Sequence, residues 1–198
     1  SNDGVDWGNV IASHSTTMQS SVEAGLAVSA YNNNALTLAK FDSLNVAEPT
    51  TNLLPSPWSF TEIGTPNMVG YSNFVDNELT IASGGYNVGG NPTSFSLVHQ
   101  TISGDATVST KVISQTNTSA YAKAGVIFTE SINADTKLVA LVLTPTGDLY
   151  LQWRDTTGGA DGWTLLGNVQ LPVYLKLERS GDTFTAYKST DEIDWGAA

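Results

Sequence analysis

The chain has no cysteine among its 198 residues. No disulfide can brace it, and thiolate metal sites and cysteine nucleophiles are excluded. A chain of this length, one large domain or two small ones, buries enough core to fold without such braces. The absence fits the cytosol and many bacterial or archaeal surface proteins alike. Basic residues are scarce: 8 Lys and Arg face 19 Asp and Glu, for a net charge of −11. That deficit argues against nucleic acid or an anionic membrane as partner, since both select a basic surface. No run of about 18 apolar residues occurs, so no membrane insertion is expected. A signal peptide is also missing, as expected of a mature or excised form. Histidine is limited to His14 and His99, far apart and without a Cys partner, which disfavours a zinc site. "GGYNVGG" lacks the Lys-Ser/Thr of a phosphate-cradling loop, and no serine-nucleophile pattern is present.

What is present is a polar, weakly charged chain patterned at period two. Only 14% of residues are charged, while Ser, Thr, Asn and Gly are abundant. That composition points to an extracellular or cell-surface setting. In "DATVSTKVIS", Ala106, Val108 and Val112 alternate with Thr107, Ser109 and Thr110. In "LPVYLKLER", Val173, Leu175 and Leu177 alternate with Tyr174, Lys176 and Glu178. "GDTFTAYKS" sets Phe184 apart from Thr183 and Thr185. Each reads as a strand with one face in a core. Turn signals such as Gly84-Gly85, Gly104-Asp105, Gly147-Asp148 and Gly181-Asp182 separate the strands and predict an antiparallel sandwich or barrel. The stretch Ile11 to Glu23 is too rich in Ser and Thr for a helix interior and is read as loop plus strand. "AEPTTNLLPSPW" carries three prolines and divides the chain into residues 1–47, a linker at 48–57, and residues 58–198. The first piece is too small to fold comfortably alone and must pack on something.

The two ends of the chain match. "SNDGVDWG" and "STDEIDWG" share Ser1, Asp3, Asp6 and Trp7 with Ser189, Asp191, Asp194 and Trp195 at the same offsets. The segments "SGDATVSTKVISQTNTSAYAKAGVIFTE", "LYLQWRDTTGG" and "LPVYLKLERSGDTFTAYKSTD" together resemble, in order, a bacterial domain family of unknown function. That family belongs to the concanavalin A-like lectin/glucanase class. The resemblance covers roughly residues 58–195. In the family the Trp-bearing turn is followed by a segment similar to "GLAVSAYNNNALTLAKFDSLNV", which here lies at the front. The resemblance implies an all-β antiparallel sandwich of the jelly-roll type in circularly permuted or strand-swapped order. Three explanations stand open: a permutant that closes on itself, a cut out of register from a tandem array, or donation of N-terminal strands to a neighbouring chain.

Candidate sites follow from side-chain chemistry. In "LYLQWRD", alternation assigns Leu149, Leu151 and Trp153 to the core and Tyr150, Gln152 and Arg154 to the opposite face. A ring, an amide and a guanidinium suit a sugar, which offers C–H faces and hydroxyls. Tyr121 and Lys123 from "YAKAG" and a loop Trp163 would extend such a groove. Asp155 and Asp161 in "RDTTGGADGW" carry oxygen ligands that calcium takes, although no calcium-repeat spacing is present. No cofactor is otherwise required. "EID", with Glu192 and Asp194, resembles the acid-bearing strand of laminarinase-type hydrolases but lacks that motif's second Glu. A polar hairpin whose Asp side chains hold backbone N–H groups is the simpler reading, so no catalytic residue is expected. The expected role is a non-enzymatic surface module that self-associates head to tail by strand sharing, with glycan binding as the alternative.

Overall fold

A computed structural model of the protein describes residues 11–42 and 54–195. The described residues form fourteen strands and no helix. One sheet orders β1(Ala12–Ser15), β14(Thr183–Ser189), β13(Val173–Ser180), β8(Ala106–Gln115), β3(Thr37–Asp42), β6(Glu78–Ser83) and β5(Tyr71–Val75). The other orders β12(Gly162–Asn168), β11(Asp148–Arg154), β10(Leu138–Leu143), β9(Lys123–Thr129), β2(Ser21–Ser29), β7(Phe95–Ser103) and β4(Ser59–Ile63). Every pairing is antiparallel, and the two seven-stranded sheets make a β-sandwich.

Alternation builds the main core. Val108, Val112, Leu175, Leu177 and Phe184 of the first sheet meet Leu26, Val126, Phe128, Leu141 and Leu151 of the second. Thr110, assigned by its polarity to the outer set, instead falls on the buried side between Val108 and Val112. A second core lies on the other face of the second sheet. There Val88, from the Gly-rich connection after β6, and Phe95, at the start of β7, pack with Ala27, Ile127, Ala140 and Val142. Strand β10, "LVALVL", is therefore buried on both faces and reads as an unbroken apolar run rather than an alternation.

The N-terminal piece is built into this sandwich. β2 lies between β9 and β7, and β3 lies between β8 and β6. Each is a central strand of one sheet, so residues 11–42 and 54–195 share one pair of sheets. β1 closes an edge beside β14, with Ala12 opposite Ala186. From it His14 reaches across to the second sheet, stacking on Trp153 at 4.3 Å and bonding Asp155 at 2.7 Å. His99 sits elsewhere, between Glu23 (2.6 Å) and Thr61 (3.0 Å). The linker assigned to 48–57 lies outside the described residues up to position 53, as do the hairpin residues Ser1, Asp3, Asp6 and Trp7.

Candidate functional site

Antiparallel pairing sets the candidate residues side by side. β2 pairs β9 with Ser29 opposite Lys123, and β11 pairs β12 with Gln152 opposite Trp163. The turn after β2 thus brings Tyr31 to the end of β9 where Tyr121 and Lys123 emerge. Tyr121, Lys123, Tyr150, Gln152 and Trp163 all line one open cleft of about 420 Å³. Asp161 joins them from the approach to β12, and Tyr31, Asn87 and Thr144 complete the walls. Trp163 belongs to a strand rather than a loop, at the outer edge of its sheet.

The rim is aromatic and the floor polar. Trp163 and Tyr121 are 64% and 61% exposed, unusual for large rings without a contact to make. Trp163 stands edge-on to Tyr150 at 5.8 Å between centroids. Tyr121 tilts against Tyr31 at 5.2 Å, and Tyr31 stacks on Tyr86 at 4.8 Å. Two platforms therefore flank the cleft, each braced by a second ring. On the floor, the Lys123 ammonium donates to Asn87 Oδ1 at 2.6 Å. Burial lowers the Lys123 pKa to about 8, against the pull of the Asp161 carboxylate. The Gln152 amide is buried and donates to the Val88 carbonyl at 2.6 Å.

Arg154 points to the same side of the strand as Tyr150 and Gln152, yet it is 2% exposed. Its Nε donates to Asp161 Oδ1 at 2.9 Å, Nη1 to the Ala134 and Thr136 carbonyls at 2.8 and 3.3 Å, and Nη2 to the Gly90 carbonyl and Thr93 Oγ1 at 2.7 and 2.8 Å. The guanidinium is used up holding three loops together. It positions the cleft wall and has no donor left for a ligand. Asp161 is held in turn: burial raises its pKa, and the Arg154 guanidinium is the largest opposing influence. Gly89, at φ +77°, passes so close that a Cβ there would meet Asp161 Oδ2 and Gln152 Nε2 at 2.7 Å. A glycine is what lets this connection lie on the floor.

The two calcium candidates serve separate partners, Asp155 pairing with His14 and Asp161 with Arg154. Among the described residues no group of three or more His, Asp or Glu converges as a metal site would require. Glu192 and Asp194 belong to the hooked turn after β14. There Asp191 Oδ1 accepts the N–H groups of Ile193 and Asp194, each at 2.8 Å. Those N–H groups hold the Asp191 carboxyl below its usual range.

Tyr31, Asn87 and Thr144 were not marked by the sequence. Tyr31 precedes "NNN" and reads as a hairpin loop; its φ of +51° fits that reading while its ring lines the cleft. Only the long-range register of β2 on β9 reveals it. No protein-family model matches the chain, and neither a curated protein nor a solved structure does.

Proposed function

We propose that the chain is a non-catalytic carbohydrate-binding module of a secreted or surface-exposed protein, and that the Tyr121–Trp163 cleft is its binding site. The observation that carries this reading is the pair of exposed, ring-braced aromatics on either side of a floor of amide, ammonium and hydroxyl groups. A pyranose presents C–H faces to rings and hydroxyls to amides and ammonium groups, and this cleft offers both. The resemblance to lectin-like domains points the same way. Among the described residues no pair of free carboxylates faces this cleft, since Asp161 is bound to Arg154. That supports binding over glycoside cleavage.

The test is titration calorimetry against a panel of oligosaccharides, followed by Trp163→Ala and Tyr121→Ala on the best ligand. Both rings are exposed, so melting temperature should hold while affinity falls about tenfold or more for each, or ~1.4 kcal/mol. Unchanged affinity in both variants would remove the cleft as the site.

A second reading, head-to-tail assembly by strand sharing at a cell surface, draws on a different observation. The N-terminal piece supplies a central strand to each sheet. The same pairing made with a neighbour's β2 and β3 would join chains. Light scattering over a concentration series tests it: a species that stays near 21 kDa at all concentrations counts against assembly.

A further inference from the structure

Two charged side chains line the cleft between Tyr121 and Trp163, Lys123 and Asp161, and they are not equally committed. Asp161 accepts from Arg154 Nε through Oδ1 at 2.9 Å, and its Oδ2 is buried. That carboxylate is therefore balanced by its own cation, whose remaining donors are held by the loops behind it. Lys123 has no such counter-ion bonded to it. Among the described residues its hydrogen bond goes to Asn87 Oδ1 at 2.6 Å, a neutral amide oxygen. An ammonium carries three N–H donors and no acceptor, so this one keeps donors for a ligand. Of the three side chains, two are cations and one an anion, and the surplus charge sits on Lys123.

The surplus is local, because the chain as a whole carries a net −11. Asp148 shares the face of Tyr150, but it accepts from Asn168 Nδ2 at 3.3 Å and does not line the cleft. Tyr31 and Tyr150 add no negative charge near neutrality. A hydrogen bond with Tyr86 raises the Tyr31 pKa, and burial raises that of Tyr150. Keeping an ammonium half covered is costly, and burial brings the Lys123 pKa down to about 8. A sugar hydroxyl offsets that cost only in part. An anion in contact offsets it more fully, through charge-assisted hydrogen bonds. The exposed rings of Trp163 and Tyr121 meanwhile offer the stacking surface that a pyranose needs.

We propose that the cleft selects an acidic glycan, and that Lys123 Nζ receives its anionic substituent, a uronate carboxylate or a sulfate ester. This rests on the cleft being the glycan site and adds the class of sugar it takes.

Titration calorimetry on the full chain decides it with matched probes. These are β-1,4-linked glucose and galactose oligomers, their C6-oxidised uronate forms and their 6-O-sulfated forms. At pH 6.5 an acidic member should bind about fivefold or more tighter than its neutral counterpart. Which acidic form wins separates carboxylate from sulfate. The preference should vanish at pH 9.5, where Lys123 is neutral, and in Lys123→Met, where Met fills the same space. A second readout uses the unmodified protein alone. Near pH 8 the acidic probe should raise the Lys123 pKa and so draw in protons, seen by repeating the titration in buffers of different ionisation enthalpy. Neutral oligomers that bind as tightly as acidic ones, with affinity lost in Trp163→Ala, overturn the proposal and leave the carbohydrate reading standing. An acidic preference that survives Lys123→Met, or that comes without proton uptake, also overturns it. Binding of no probe by the folded chain counts against both readings together.

Discussion

At the scale of single residues, Lys123 is the group whose state decides what the cleft can do. Its amine is buried beside Asn87, and burial brings its pKa from 10.5 to about 8. The folded chain therefore loses this proton before the unfolded chain does. The cost of burying the charge is in force below pH 8 and is relieved as pH rises from 8 to 10.5, so stability from this group increases over that window. Ligand affinity should move the other way, because the neutral amine is a weaker donor to a hydroxyl than the ammonium. Binding measured at pH 6.5 and pH 9.5 is expected to fall several-fold, and Lys123→Met should abolish the fall. Affinity that is flat across this range in the unmodified protein would show that the ammonium makes no contact with the ligand.

At the scale of elements, Arg154 distinguishes a wall from a contact. Its side chain is as buried as the core leucines, and it pairs with a carboxylate that is itself only 10% exposed. Arg154→Ala leaves Asp161 buried without its cation and frees the loops carrying Gly90, Thr93 and Ala134. The expected cost is about 3–5 kcal/mol in unfolding free energy, with glycan affinity lost alongside. Trp163→Ala should lose affinity alone. Chemical denaturation of both variants separates the two, and a stable Arg154→Ala protein would contradict the scaffold role. The contrast also marks what a sequence carries. Period-two alternation marked β8, β11, β13 and β14, their inward faces apart from Thr110, and the shared face of Tyr150 and Gln152. It could not show that Arg154 is consumed or that Lys176 is covered. Both outcomes depend on residues outside the strand itself, among them the loop after β6 for Arg154 and Tyr187 and Trp195 for Lys176. Tyr31 was illegible for the same reason. Its role depends on β2 pairing with β9, about a hundred residues later.

At the scale of the whole molecule, the order of strands governs how the protein can come apart. Removing residues 1–42 would take an interior strand from each sheet and the edge strand β1, leaving β9 and β7 unpaired on one side in one sheet and β8 and β6 in the other. Those exposed edges, together with the loss of Leu26, Val28, Ala39 and Phe41 from the core, cannot be compensated locally. A fragment spanning residues 54–198 is therefore expected not to give a cooperative melt alone. A peptide of residues 11–42 supplied in trans should restore the melt, because the missing strands make nearly all their contacts within the two sheets. Circular dichroism of the fragment with and without the peptide checks this. Restoration would show that a neighbouring chain's β2 and β3 can serve equally well, which is the physical requirement for assembly by strand sharing. Failure, with the intact chain folding normally, would mean that the covalent connection through residues 43–53 is needed to bring the strands in. Assembly between chains would then have no route, and the carbohydrate cleft would stand as the principal role of the molecule.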